Sequence, residues 1–528
     1  MMLFKELKSD KFESLKILLM MTTRLRLMLL FIFCLFELIK AQETENYFLE
    51  EPGNAVHVKM TLDEVIELAH EQSLYSFRSR NMYLARYWEF RSYKADRLPI
   101  LSLDATPVNY DKSVVSRFDE ERGEYFDQRS YFTSDASLSV RQNVPWTGSV
   151  FDVTSSLSRS QNLDNSDDIQ YASVPVSIGF TQPLNGYNRF RWESRIEPLK
   201  FEKAKREYLQ SLESLAIQAA DYFFGQVTAE INLKIAETNY SNADTLYNIG
   251  KGRFEIGTVT QDELLDLELG LLNAQMEVTR AKVDLRQARA ALNSFLALED
   301  NMIIDCVVPD EVPALKINPE RAMALALENN PEILDYQQRL LEAEQNIARA
   351  RSESGLSADI RANFGINKNS DDFGLAYGSP FGDQQQIRVS LNIPILDWGL
   401  RKGQIQMARS NRDVTEATVK QERIDFEQDL FIRIMEFNMQ EKQVEISAKA
   451  DTIAQKGYDV TKQRFLIDKV DVIKLNSARN SLDAARRNYI SSLQQYWRSY
   501  FQMRQITLYD FVNDRPLMKE LEELLQQQ

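Results

Sequence analysis

The residue types that most often perform chemistry in proteins are scarce in this chain of 528 residues. Two histidines, His57 and His70, and two cysteines, Cys34 and Cys306, are present, which excludes a disulfide scaffold and a Cys-rich metal site. The histidines lack paired ligands at a metal-binding spacing, and the sequence has no Gly-rich phosphate loop and no nucleophile–base pair. We therefore expect no enzyme activity, no cofactor and no metal site.

Charge and hydropathy narrow the class of protein further. The chain carries 63 lysines and arginines against 78 aspartates and glutamates, a net charge of −15, which argues against a nucleic-acid partner. A mean hydropathy of −0.39 argues against a helical protein with several membrane spans. It does not exclude a β-barrel, because barrel strands alternate apolar and polar residues and contribute little to mean hydropathy.

The amino terminus has the layout of a secretory signal peptide over residues 1–41. A basic segment precedes an apolar run from Leu27 to Phe36, which is too short to span a membrane as a helix. A buried core helix is the competing interpretation, and Met20 and Met21 are alternative translation starts. We expect an exported protein.

The rest of the chain contains a tandem repeat. Thr61–Leu74 is similar to Asn318–Pro331, and both segments begin with helix-capping residues, Thr61 with Glu64 and Asn318 with Pro319. Each copy predicts the same order: a capped helix, strands, a long helix, a tight turn and a second long helix. The predicted repeats are 42–300, with strands at about 99–184 and a turn near 250–262, and 301–528, with strands at about 357–396, a turn near 463–473 and a C-terminal tail.

The two helices that follow the turns have apolar residues in alternating steps of three and four, from Leu264 to Phe295 and from Leu475 to Ile506. Such a repeat predicts coiled-coil packing. Before the turns, a helical pattern continues from about 191 to 253 and from about 400 to 464. Helices of that length would be on the order of 95 Å long, so we expect long helical rods.

Segments between the helices alternate apolar and polar residues instead. The alternation covers Val174–Phe180, Ile360–Ile366 and Ile387–Ile393 and is typical of strands with one apolar and one polar face. Strands of about ten residues with this pattern indicate a transmembrane β-barrel. An antiparallel sheet in a soluble domain is the alternative.

Taken together, these features resemble the TolC family of outer-membrane efflux proteins. The resemblance rests on the repeated helix start, on QPLNGYNR and IPILDWGLRKG after the strands, and on the turns RFEIGTVTQDELLDLE and RFLIDKVDVIKLNSAR. It implies a mainly α protein with a transmembrane β-barrel. Three chains would form a homotrimer in which tandem-duplicated coiled-coil helices build an α-barrel tunnel and the strands share one outer-membrane barrel. Sharing strands would remove free sheet edges, which lipid does not tolerate.

The first repeat contains an additional pair of candidate strands. Ala136–Val140 and Phe151–Ser155 flank a turn at Pro145–Gly148 and predict an extra hairpin. If the hairpin joins the barrel, each chain contributes six strands and a trimer about eighteen; if it folds outside the bilayer as a loop, the trimer has about twelve. The sequence leaves both possibilities open.

The resemblance also implies that the two turns form a periplasmic tip, which docks an adaptor and opens the channel. The matching residues are Arg253, Phe254, Gly257, Thr258 and Val259 in the first turn and Arg464, Phe465, Asp468, Lys469 and Val470 in the second. Gly257 matches the turn glycine of the family, whereas Asp468 departs from it. Acids that line the aperture in the family correspond to Glu263 and Asp266, but the second repeat has Lys474 and Ser477 at these positions. Ordinary solvated helix faces are the alternative for these charges.

The expected function is a passive outer-membrane exit duct of a tripartite efflux or type I secretion system, with a long periplasmic extension. An inner-membrane transporter and a periplasmic adaptor would deliver small molecules or polypeptides, and outer-membrane lipid would surround the strands. The competing class is a soluble periplasmic coiled-coil scaffold or adaptor without a pore, which leaves the alternating strands unexplained.

Overall fold

The computed structural model describes residues 56–120, 123–163, 168–299, 302–309, 312–467, 469–470 and 472–519. The predicted signal peptide lies outside these residues. The chain divides into two compact units. The first unit comprises Met1–Leu74, Gln218–Val312 and Gln443–Gln495, and the second comprises Tyr75–Ile217, Pro313–Lys442 and Tyr496–Gln528. No helix within the described ranges is both long and apolar enough to cross a membrane.

The helices occur in two series of nearly equal lengths. The first series is α1 (Leu62–Gln72, 11 residues), α2 (Leu74–Ala95, 22), α3 (Arg189–Glu255, 67) and α4 (Gln261–Phe295, 35). The second is α5 (Pro319–Asn329, 11), α6 (Pro331–Glu353, 23), α7 (Leu400–Leu466, 67) and α8 (Val472–Thr507, 36). The predicted long helices before the turns lie within α3 and α7 and are confirmed.

Both predicted helix starts have the expected caps. The Glu64 carboxylate accepts a hydrogen bond from the Thr61 N–H at 2.7 Å, and the Thr61 hydroxyl accepts one from the Glu64 N–H at 3.4 Å. Asn318 accepts bonds from the N–H groups of Glu320 and Arg321 at 2.8 and 3.2 Å, and Pro319 is the first residue of α5. These side chains satisfy N–H groups that a helix leaves unpaired at its start.

Most strands belong to one six-stranded antiparallel sheet in the second unit. A parallel pair, β1 and β6, lies in the first unit, and two residues each of β9 and β10 pair near the C-terminus. The sheet has the order β2–β3–β4–β5–β7–β8. The strand bounds are β1 Val56–Met60, β2 Ile100–Asp119, β3 Gly123–Val144, β4 Ser149–Asn162, β5 Ile169–Pro183, β6 Met302–Cys306, β7 Ser357–Ser370, β8 Gly382–Asn392, β9 Tyr509–Asp510 and β10 Arg515–Pro516.

The additional hairpin of the first repeat is part of this sheet. Its two predicted segments lie in β3 and β4, which pair with each other and with β2 and β5. The two segments are therefore paired strands of the sheet and not a loop. β2 and β3 are also longer than their neighbours: they pair out to Asp119 and Gly123, whereas β4 stops pairing with β3 at Tyr131. The end of the β2–β3 hairpin thus extends past β4.

The core of the second unit is aromatic where α7 and α8 meet. Phe437 packs against Tyr496 and Tyr500, with ring centroids 5.7 and 6.5 Å apart. Nearby, the Arg504 guanidinium lies 2.8 Å from the buried Glu213 carboxylate and 3.4 Å from the buried Asp510 carboxylate. These ion pairs connect α3 to α8 and to the segment that follows α8.

Candidate functional site

The first predicted tip turn ends α3 with a left-handed glycine. Gly257 has a φ of +76°. Its N–H donates to the Phe254 carbonyl at 2.9 Å, and the Thr258 N–H donates to the Arg253 carbonyl at 2.9 Å. These two bonds define a Schellman motif, whose left-handed position is usually glycine. Gly257, which matches the turn glycine of the family, thus has the backbone conformation that favours glycine.

The second turn repeats part of this geometry. The Lys469 N–H donates to the Arg464 carbonyl at 2.9 Å, the counterpart of the bond between Thr258 and Arg253. Asp468, which stands where the first turn has its glycine, lies outside the described residues. Val259 and Val470 are both half-buried, and Thr258 and Lys469 are exposed. The two turns therefore share one backbone hydrogen bond and the exposure of the residues that follow it.

The two tip phenylalanines differ in packing. Phe465 is half-buried against the cluster of Tyr458, Leu475 and Leu482, whereas Phe254 is 42% exposed. Leu475 and Leu482 belong to the predicted heptad repeat. Phe465 thus helps to hold the two long helices of the second repeat together, and Phe254 is the more accessible of the two aromatic side chains.

The four predicted aperture residues have different surroundings. Glu263 is bound at the start of α4, where its carboxylate accepts hydrogen bonds from the Thr260 N–H at 2.9 Å and the Thr260 hydroxyl at 3.0 Å. Asp266 lies farther along α4 and lines a groove. Lys474 and Ser477 are exposed on α8. Glu263 therefore has a helix-capping role that the resemblance did not indicate.

The groove that contains Asp266 has a volume of about 730 Å³ and lies among α3, α4 and α8. Its walls carry charges of both signs. Two hydrogen bonds connect α3 to α8 along it, from Arg487 Nε to Asn232 at 2.9 Å and from Asn239 to Asp483 at 3.3 Å. The charged lining residues are Asp266, Glu277, Arg280, Asp284, Arg479, Asp483 and Arg487.

One face of the six-stranded sheet is apolar and uncovered. The strand register places five apolar residues directly opposite one another across five strands. Their exposed fractions lie between 36 and 65%. The row consists of Leu101, Val140, Val153, Ile178 and Phe364. Contiguous exposed apolar surface of this kind marks a site that contacts lipid or another protein.

The opposite face of the same strands is polar. The neighbouring cross-strand row consists of Ser102, Ser139, Thr154 and Ser177, and the Ser102 and Ser139 hydroxyls lie 2.8 Å apart. On this face the Asp152 carboxylate occupies the space that a Cβ on Gly179 would need. An apolar row over five strands, with a polar row behind four of them, is the pattern of a barrel wall between lipid and water.

Cys306 and His57 occupy structural positions in the first unit. His57 Nδ1 lies 3.3 Å from the Asp305 carboxylate across the β1–β6 pair. Burial, with a smaller effect of the Glu230 and Asp305 charges, raises the pKa of the Cys306 thiol to about 12. A thiol with so high a pKa is a poor nucleophile at neutral pH.

Comparison with known proteins agrees with this geometry. The model of the outer membrane efflux protein family matches residues 149–298 and 322–507. Among solved structures, the Campylobacter jejuni CmeC outer membrane channel is similar with a TM-score of 0.60 and 14% identity over 88% of both chains. The outer membrane protein VceC from Vibrio cholerae gives 0.58 and 12% over 85% of this chain and 95% of that one. The Neisseria gonorrhoeae MtrE outer membrane channel gives 0.55 and 15% over 85% and 89%. No individual curated protein sequence is matched.

The fold is that of outer-membrane efflux channels. The chain belongs to the outer membrane efflux protein family, and the resemblance to the TolC family is confirmed. It is an outer-membrane channel with a periplasmic extension, the exit duct of a tripartite efflux or type I secretion system. The family consists of channels and not of enzymes, and its members are homotrimers that work with adaptors and inner-membrane transporters. The soluble scaffold interpretation is not supported.

Proposed function

We propose that three copies of this chain, with six strands each, close one barrel of about eighteen strands. The observation that carries this proposal is the exposed apolar row backed by a polar row. The six strands alternate in direction, so that β2 runs away from the helices and β8 returns to them. The free edge of β8 in one copy can therefore pair antiparallel with the free edge of β2 in the next.

The order of elements along the chain supports a second part of the proposal, a tandem duplication within each chain. Residues 1–41 are the signal peptide, and 42–300 and 301–528 are the two repeats. Their helices have matching lengths of 11 and 11, 22 and 23, 67 and 67, and 35 and 36 residues. The two repeats of each chain would thus contribute equivalent helical hairpins to one tunnel.

The third part of the proposal concerns the two turns, which would dock the periplasmic adaptor that links the channel to an inner-membrane transporter. Their shared backbone geometry and exposed polar residues support this role. The docking residues would be Arg253, Phe254, Gly257, Thr258 and Val259 with Arg464, Phe465, Asp468, Lys469 and Val470. Glu263, Asp266, Lys474 and Ser477 would lie around the aperture, and Glu263 would also cap α4.

Disulfide trapping tests the shared barrel. Within one sheet of six strands the β2 and β8 edges are on the order of 20 Å apart, too far for a disulfide. In a Cys306→Ser background, Ser102→Cys on β2 would be combined with Arg388→Cys, Ser390→Cys or Asn392→Cys on β8 to cover different registers. We expect oxidation of at least one pair to give covalent trimers on denaturing gels.

The matched control replaces Ser102→Cys by Thr154→Cys on the interior strand β4, which should give no trimers. Absence of trimers from all three edge pairs, together with absence of single-channel conductance in planar bilayers, would refute the shared barrel.

Export assays test the tip. Val259→Glu and Val470→Glu each place a bulky charge on a half-buried turn residue, and we expect them to reduce export while trimers still form. Wild-type export by both variants would argue against adaptor docking at these turns.

A further inference from the structure

The helix–strand junctions of the second unit share one arrangement of residues. At each junction an exposed leucine lies on the strand side and an arginine lies on the helix side, within five residues. The leucines are 38 to 68% exposed. The four pairs are Leu98 with Arg97 before β2, Leu184 with Arg189 after β5, Leu356 with Arg351 before β7, and Leu396 with Arg401 after β8.

Two tryptophans lie along the same edge of the sheet. Trp146 is 84% exposed in the turn between β3 and β4, and the Asn188 amide holds that turn by donating to the carbonyls of Pro145 and Trp146 at 3.0 and 3.3 Å. Trp398, between β8 and α7, is 90% exposed and has a φ of +53°. For a bulky residue the left-handed region is uncommon and costs strain.

The order of these residues matches the cross-section of a bilayer leaflet. Exposed leucines adjoin the apolar sheet face, tryptophans prefer the boundary between acyl chains and headgroups, and the guanidinium fork of arginine binds phosphate bidentately. We propose that the four leucine–arginine pairs with Trp146 and Trp398, here called the junction collar, bind the phosphate headgroups of glycerophospholipids in the periplasmic leaflet. The inference rests on the proposed membrane-spanning barrel.

The position of the pairs in the sheet favours lipid over a second copy of the chain. In a shared barrel a neighbouring copy contacts only the edge strands β2 and β8. The pairs Leu184–Arg189 and Leu356–Arg351 adjoin β5 and β7, which lie inside the sheet order, so an edge contact leaves them uncovered. Exposed leucines and tryptophans also fit the lipid side of the wall better than the polar side.

Some of the collar arginines are already held in place. Arg189 lies 2.7 Å from the Asp96 carboxylate and 3.2 Å from the Glu193 carboxylate, and Arg97 donates to the Phe190 carbonyl at 2.9 Å. Each guanidinium has further N–H groups for a phosphate. Because these two arginines also stabilise the junction, the exposed residues Arg351 and Arg401 are the better positions for a test.

The experiment uses the full-length protein in phosphatidylethanolamine vesicles with increasing phosphatidylglycerol. Native mass spectrometry of the extracted trimers measures bound phosphatidylglycerol for the wild type, for Arg351→Gln/Arg401→Gln, and for a control, Arg423→Gln/Arg433→Gln, on α7 beyond the junction. We expect the collar variant to lose about fivefold in apparent affinity per arginine, the effect of roughly 1 kcal/mol per charge at an anionic surface. The control should keep wild-type affinity.

Fluorescence quenching provides a second measurement. Vesicle lipids with brominated acyl chains should quench the tryptophan fluorescence, and Trp146→Phe/Trp398→Phe should remove most of the quenchable signal. Unchanged phosphatidylglycerol affinity in the collar variant, or quenching that does not depend on the two tryptophans, overturns the collar. Loss of trimers with unchanged lipid affinity would assign these residues to subunit contacts and also overturn it.

Single-channel conductance separates the two proposals: a conducting wild type without collar-dependent lipid binding refutes the collar alone.

Discussion

The first tip turn depends on a backbone conformation that only glycine adopts without strain. Gly257 has a φ of +76°, and a Cβ added there would meet no described heavy atom within 4 Å. The substitution Gly257→Ala therefore introduces no collision. Its cost is the conformational penalty of a left-handed residue with a Cβ, about 1–2 kcal/mol.

Gly252 in α3 is a matched control. A Cβ there would also meet no described atom within 4 Å outside its own helix backbone, but the residue is helical. Gly252→Ala should therefore stabilise the end of α3 by roughly 0.5–1 kcal/mol, because alanine loses less conformational entropy than glycine in a helix. The two substitutions add the same methyl group and should change local stability in opposite directions.

Amide hydrogen exchange of Thr258 measures this difference, because its N–H donates to the Arg253 carbonyl in the turn. Lowering the opening free energy by 1–2 kcal/mol should make exchange about 5–30 times faster in Gly257→Ala. Gly252→Ala should slow exchange by about two- to fivefold. The reasoning fails if both variants shift exchange in the same direction, or if Gly257→Ala exchanges like the wild type.

Three further predictions concern the cap of α4, Asp510 and Cys306. Glu263→Gln should keep the cap of α4, because glutamine also closes a capping box. Thr260→Val should instead destabilise the helix start by about 1 kcal/mol and speed amide hydrogen exchange in the first turn of α4. Equal effects of the two substitutions would contradict a capping role. Burial would raise the pKa of Asp510, but hydrogen bonds from Asn513 and the Arg504 charge outweigh it, so the pKa lies below its usual value. The ionised Asp510 carboxylate therefore stabilises the fold above the unfolded pKa of about 3.9. This stabilisation is lost as pH falls through the lower pKa of the folded state. Asp510→Asn should lower the free energy of unfolding by about 3–5 kcal/mol at pH 7 and by much less near pH 2, as measured in thermal melts. A loss that does not depend on pH would show that the Asp510 charge does not stabilise the fold. With the pKa of its thiol at about 12, Cys306 should react with iodoacetamide at pH 8 on the order of 10³ times more slowly than a free cysteine; rapid alkylation would show that the thiol is not buried.

The helices could be predicted from the sequence because their signals are local. The Thr61–Glu64 box, the Asn318 cap and the heptad positions Leu475 and Leu482 each depend on residues within a few positions of one another, and the structure has them as predicted. The capping role of Glu263 had the same kind of signal, a threonine three residues earlier. It was missed because the family resemblance assigned that acid to the aperture.

Features that depend on distant residues could not be predicted in this way. The register between β2 and β3 shifts between Thr106 and Asn109, and beyond it the strands are too polar to show alternation, so the long hairpin was not recognised. By contrast, the helix predicted from about 191 to 253 does continue through Pro198, although proline removes a helix hydrogen bond. The neighbouring Ile196 is buried, with only 3% of its surface exposed.

An isolated chain would expose two unfavourable surfaces at once, the free edges of β2 and β8 and the apolar face of the sheet. Water tolerates the edges but not the apolar row, and lipid tolerates the apolar row but not unpaired backbone groups. Closure of the proposed barrel by three copies removes the edges, and insertion removes the apolar surface from water. Neither step alone gives a stable state, so trimer closure and membrane insertion must be thermodynamically coupled. The helices, whose packing does not require lipid, are then the elements that can bring three chains together before their strands enter the membrane.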